Sequence, residues 1–224
     1  MDHNHAKPHK TPLADSKGAP LTHVAVGCSW GTIVSKGGFL GLDRRVTDID
    51  LDLSCVLYDE AGKIADAIVS PLYRPEFLAR YGLPPGSVSA AGSAIHLTSI
   101  GDTPGATDAD NLTVTVDLDR LSPSIRSIYF ILSNCGPEDF SQIPATRLRV
   151  SDPAASSPEG EITRMEIKGS GRLKGARSIV MGKVYRSEAA WCFKPIADAY
   201  PDSNVGETVR RITLGSVSYT HIRA

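Results

Sequence analysis

Period-two alternation constrains this chain more than any other feature. In LTVTVDLDRL (residues 112–121) apolar and polar residues alternate, and after the turn SPSIR comes the apolar run SIYFILSN (residues 127–134). Successive side chains of a strand point to opposite faces, so the first run fits a sheet with one buried face, and the aromatic and β-branched second run fits a buried strand. Further strand-like runs are LTHVAVGCSW, SAIHLTSI, TRLRVSD, EITRMEIKG, SIVMGKVYR and AAWCFKPIA. The last four recur at roughly ten to fifteen residues, the rhythm of a sandwich or barrel. We therefore expect an all-β chain, with more strand than helix in two packed sheets. Only EFLARYG and the stretch near DSNVGETVRRI read as helical, and GTIVSKGGFLGLDRR, with glycine at its bends, reads as a loop.

The 224 residues suffice to bury one large core. Residues 1–20 are polar, contain Pro8, Pro12 and Pro20, and lack periodicity, so the expected organisation is a disordered tail over 1–20 and a single domain over 21–224. With 24 basic and 25 acidic residues the net charge is −1, which gives no global attraction to nucleic acid or an anionic membrane. No apolar run approaches the roughly 18–20 residues of a membrane span, and the N-terminus has no secretory apolar core. Cys28, Cys55, Cys135 and Cys192 show no CxxC spacing, so they are expected to be reduced thiols in a cytoplasmic protein.

Two local clusters carry charge. In DIDLDLSCVLYDEAGKI, Asp48, Asp50 and Asp52 alternate with Ile49, Leu51 and Leu53, which places the three carboxylates on one strand face. Some fifty residues later, GDTPGATDADN offers Asp102, Asp108, Asp110 and Asn111. Hard oxygen donors at this density suit Ca²⁺, which takes about six to eight of them. The sequence is not an EF-hand, because the loop pattern and its terminal glutamate are absent. The competing reading is an acidic strand that resists aggregation beside an ordinary Asx-rich turn, with Arg44 and Arg45 neutralising part of the charge.

The second cluster runs from Lys168 to Arg186, with Arg172, Lys174, Arg177 and Lys183 between and no acidic residue. It reads as a solvated face or as a dock for an anionic partner. The tail histidines His3, His5 and His9 are expected to bind transition metals weakly. No nucleophile stands in a catalytic motif, and neither His23 nor His96 has a marked context, so no enzymatic activity is expected.

The blocks VGCSW, DIDLDLSCVLYDEAGKI, GSAIHLTSIGD, the Asp-rich loop, LTVTVDLDRLSPSIRSIYFIL, DFSQIPATRLRVSD and MGKVYRSEAAWCFKPI occur in an order that resembles the tellurium-resistance (TerD-like) family of bacterial stress proteins. The resemblance covers about residues 24–200. It implies a β-sandwich of two antiparallel sheets with a few short helices, Ca²⁺ as cofactor, and a non-catalytic binding or scaffold role in resistance to tellurite and other chemical stress. Other stress-resistance proteins of the same system are the implied partners. Asp48, Asp50 and Asp52 fall on the family's acidic strand, and Asp102, Asp108 and Asp110 on its loop. Departures lie at Gly31, Thr103, Asn111 and Leu112, which carry no ligand charge where the family has acidic or amide residues, and in the basic stretch from Lys168 to Arg177. The alternative function is a metal-independent sandwich that binds an anionic partner through the Lys168–Arg186 run.

Overall fold

A computed structural model describes residues 10–37, 43–47, 49–99, 110–155, 160–188 and 190–220. Two antiparallel sheets of six strands face each other. The first runs, edge to edge, through Thr11–Pro12 (β1), Trp191–Tyr200 (β14), Ser178–Arg186 (β13), Ile125–Asn134 (β10), Leu51–Asp59 (β5) and Ile64–Ile68 (β6). The second runs through Glu161–Lys168 (β12), Ala145–Ser151 (β11), His23–Trp30 (β2), Leu112–Asp117 (β9), Ile95–Ser99 (β8) and Ser89–Ala90 (β7). The sandwich and its two antiparallel sheets are as the alternation and the family resemblance predict.

The inner faces make one core. Val24, Val26 and Cys28 of β2 and Val114 and Val116 of β9 meet Leu51, Leu53, Cys55 and Leu57 of β5 and Ile128, Phe130 and Leu132 of β10. A second core lies on the outer face of the first sheet, where Val56, Tyr58 and Ile131 pack with Leu78 of a helix at Pro75–Ala79 (α1) and with Val205 and Val209 of a helix at Val205–Thr220 (α2). This double burial explains why CVLY in β5 does not alternate with polar residues: both faces of the strand are covered there. The Tyr58 hydroxyl, drawn into this second core, lies 3.1 Å from Thr213 Oγ1 of α2. No helix among the described residues is long and apolar enough to cross a membrane.

Two segments differ from expectation. The stretch read as a loop contains a hairpin of Ile33–Gly37 (β3) and Asp43–Thr47 (β4), paired antiparallel with Ile33 opposite Thr47. The chain also joins the fold before the boundary drawn at Leu21. Thr11 and Pro12 pair with Phe193 and Cys192, the Leu13 amide donates to the Trp191 carbonyl, and Leu13 itself is 1% exposed. One apolar side chain in a polar stretch is too little for a periodicity signal, yet it is enough to dock the segment around it. Residues 1–9, with His3, His5 and His9, lie outside the described residues.

Leu13→Ala therefore costs about 2–5 kcal/mol, as for other leucines truncated in a core. Urea denaturation checks this, and an unchanged midpoint would show that the segment is not part of the folding unit.

Candidate functional site

β5 enters the first sheet at an acidic end. Its outer-facing series is Asp50, Asp52, Ser54, Val56 and Tyr58, alternating with the core-facing Leu51, Leu53, Cys55 and Leu57. Along one face the strand thus changes from carboxylate to hydroxyl to apolar, and the change falls where the helical cover begins. Asp50 is exposed, while Asp52 is half-buried. Among the residues whose side chains are described, which do not include Arg44 and Arg45, neither has a basic side chain within ion-pairing distance.

Burial first, and the negative charge of Asp50 in addition, push the Asp52 carboxyl above its ordinary range, against a lowering effect of the Cys135 thiol. That thiol donates to Asp52 Oδ2 at 3.2 Å. Desolvation and the same carboxylate push Cys135 itself up to about 12, so it is held protonated and makes a poor nucleophile. Ser133 pairs with Asp52 across the β5–β10 ladder, and Ser54 follows on the same outer face. Both serines are buried, and neither hydroxyl has a hydrogen-bond partner among the described residues. Unpartnered buried hydroxyls are costly, so each calls for a partner such as an ordered water or a bound group.

The Asp-rich loop returns to this end of the sandwich through Trp30, the last residue of β2. Its backbone amide donates to Asn111 Oδ1 at 2.9 Å, and its indole Nε1 donates to the Ile49 carbonyl at 3.0 Å. One residue thus ties the exit of the loop to the entry of the acidic strand. The alternation expected of Asp50 and Asp52 is present, and Asn111, just past the loop, is held near the entry of the strand. Asp48, Asp102 and Asp108 lie outside the described residues. Asp110 points elsewhere: its carboxylate accepts from Arg149 Nη2 of β11 at 2.6 Å and from Arg149 Nε at 3.2 Å. The carboxylate lies against Gly27 of β2, in space that a Cβ there would fill. Among the described residues no three His, Cys, Asp or Glu side chains converge as a metal cluster.

The basic run does not form one surface. Lys168 ends β12 in the second sheet and lies 3.7 Å from Glu166. Arg172 and Lys174 are exposed on a 3₁₀ turn at Gly171–Leu173, which Asp139 pins by accepting the Gly175 amide at 2.7 Å. Arg177 donates to the carbonyls of Asn134 and Gly136, securing the turn after β10. Lys183 and Arg186 belong to the first sheet, with Arg186 stacked over Trp191. His96 of β8 shares a 2.7 Å hydrogen bond with the Ser89 hydroxyl.

The family model of the TerD domain matches residues 1–210. The tellurium resistance protein TerZ of Serratia marcescens is 24% identical over 191 residues, covering 85% of this chain and 87% of that protein. General stress protein 16U of Bacillus subtilis (strain 168) is 28% identical over 184 residues, covering 80% and 82% respectively. The crystal structure of a homologue of telluride resistance protein (TerD) from Streptomyces coelicolor A3(2) superposes with a TM-score of 0.53 at 19% identity, over 84% of this chain and 95% of that one. That likeness bears on the fold.

The raised carboxyl of Asp52 has a pH signature. Its contribution to stability is fully present below the unfolded value of about 3.9 and is lost as pH rises through the higher folded value. In chelator, Asp52→Asn should gain stability relative to the parent protein as pH rises from about 3 to about 7. Urea midpoints at both ends of that range test this, and a difference that does not change with pH would contradict the assignment.

Proposed function

This chain belongs to the TerD domain family, and from that premise we propose that it is a cytoplasmic stress-response protein that binds Ca²⁺ and acts by binding rather than by catalysis. The relatives are named for tellurium resistance and general stress, and their names support a stress role for this chain. The observation that carries the calcium reading is the acidic end of β5. Two carboxylates share one face, one of them half-buried, with no basic partner among the residues whose side chains are described (Arg44 and Arg45 are not among these), and two buried serine hydroxyls beside it have no partner there.

Such oxygen donors fit a hard cation. Asp50 and Asp52 would hold it, with the Asp-rich loop supplying further oxygens, and Trp30 keeps the exit of that loop at the entry to the strand. Asp48, Asp102 and Asp108 complete the proposed set from the sequence. Asn111 and Asp110 support it differently, by anchoring the loop's exit to β2 and β11. When bound, the ion would cancel the repulsion between the carboxylates and join two segments distant in sequence. A calcium-dependent surface of this kind serves recognition of other stress-resistance proteins. The metal-independent alternative through Lys168–Arg186 draws less support, because Arg177 is engaged with backbone carbonyls and Lys168 with Glu166.

A calcium titration followed by thermal unfolding tests the proposal. A ligand at one hundred times its Kd adds about 2.7 kcal/mol to the folded state. Asp50→Asn should abolish that gain while leaving the chelated protein as stable as the parent, or slightly more so, since it relieves repulsion. An unchanged melting temperature at millimolar Ca²⁺ would remove the metal from the mechanism. So would a loss of stability in Asp50→Asn that is equal with and without calcium.

A further inference from the structure

We propose that the outer face of the first sheet carries a second, calcium-independent site, a cleft in which Lys183 and Lys194 bind the phosphoryl group of a small molecule. The cleft lies between α2 and strands β10, β13 and β14 and has a volume of about 680 Å³. Small-molecule sites are about 300–1,000 Å³. Its position follows from the helix. α2 covers Val56, Tyr58 and Ile131, and the part of the sheet formed by β13 and β14 continues past that cover.

Lys183 and Lys194 are directly opposed in the β13–β14 ladder. Like charges placed so repel, and sheets ordinarily avoid the pairing. The Lys183 ammonium donates to the Tyr129 hydroxyl at 3.1 Å and lies 5.0 Å from the Tyr129 ring centre and 5.5 Å from that of Tyr185. These contacts hold the cation in place without neutralising it. No carboxylate lies within ion-pairing distance of either lysine among the described residues.

The acidic groups around the cleft have other partners. Glu60 pairs with Arg126 at 3.1 Å, the Asp59 carboxylate accepts the Lys63 amide of its own turn at 2.8 Å, and Asp198 accepts from the Tyr200 hydroxyl at 3.4 Å. Arg211, at the α2 wall, is engaged with both oxygens of the buried Asp202. Glu60 and Arg211 are ion-paired, whereas Asp59 and Asp198 accept only from neutral donors and keep their charge in the wall; the lysine pair is the positive charge without an ion-pair partner.

The backbone beneath the pair is irregular. Val180 pairs with Asp198 and Gly182 with Pro195, so Ile196 and Ala197 of β14 stand opposite Met181 alone. Ala197 in this bulge has φ 63°, in the left-handed region. A bulge re-aims side chains, and strained backbone of this kind gathers at binding sites. Here the bulge turns Ile196 and Asp198 into the cleft wall next to Lys194. A phosphoryl group offers several acceptor oxygens and two negative charges to the ammonium pair, as a monocarboxylate does not. Pro195, Ile196 and Ile212 give the body of the ligand an apolar wall.

The test is a titration of isotope-labelled protein with inorganic phosphate, pyrophosphate and adenosine 5′-monophosphate, in low salt with chelator present. The chelator makes the outcome independent of the calcium reading. Saturable shifts at Tyr129, Lys183 and Lys194 are expected. Lys194→Gln, an exposed position, should weaken binding by about tenfold, and Lys194→Arg should retain it. Binding should also weaken as salt is raised. Tighter binding of adenosine 5′-monophosphate than of phosphate would show that the apolar wall contributes, and equal binding would confine recognition to the phosphoryl group. The proposal is overturned if none of the three probes saturates, or if Lys194→Gln binds as the parent does. It is overturned equally if binding is lost in an Arg172→Gln, Lys174→Gln double variant and kept in Lys194→Gln.

Discussion

The outer face of β5 has to satisfy opposite requirements along a single strand. Its first residues carry carboxylates that stay near water, and its later residues, Val56 and Tyr58, are 0% and 1% exposed. Only a second layer can reconcile the two, and α1 and α2 provide it over the apolar part alone. The limit of that layer leaves Asp50 and Asp52 open at one end of the strand. Its lateral limit leaves the β13 and β14 portion open on the other side. Both proposed binding regions are what remains of this face once the helices have covered the hydrophobic part.

The inner core was legible because its period is simple. Val24 and Val26, Val114 and Val116, and Leu51, Leu53 and Leu57 follow the two-residue rule, and each set is buried between the sheets. The second core was not legible, since a run without polar alternation such as CVLY states only that both faces are covered, not by what. The β3–β4 hairpin was hidden by its glycines, which signal bends and take no side in a pattern of alternation. At the acidic end, alternation placed Asp50 and Asp52 correctly on one face. It offered no means of seeing that Asp110 turns to Arg149, 39 residues away. One sign was available: Gly27 interrupts the strand HVAVGCSW, and a strand glycine often marks the close approach of another group. Here that group is the Asp110 carboxylate.

Charge was harder to place than apolarity. Lys168, Arg172, Lys174 and Arg177 are neighbours in the chain, but the path from β12 through the 3₁₀ turn to β13 crosses from one sheet to the other. The cationic pair that does form joins Lys183, within the basic run, to Lys194, outside it. Only the register of two strands brings them together, and register is a tertiary property that a charge run does not encode.

An open sandwich, unlike a barrel, ends in four edge strands: β1 and β6 on one sheet, β12 and β7 on the other. β1 and β7 are two residues long, and Pro12 has no amide hydrogen to offer a neighbour. β12 is long, but it carries Glu161, Arg164, Glu166 and Lys168, with Arg164 paired to Glu161 and Glu166 to Arg147. An incoming strand would have to strip water from these ions, while short or proline-bearing edges offer it too few hydrogen bonds. At those three edges the ladder has no ready way to grow from one molecule into the next. Recognition at those edges is thereby left to side chains, whose chemistry is selective, rather than to open backbone, which would accept almost any extended chain.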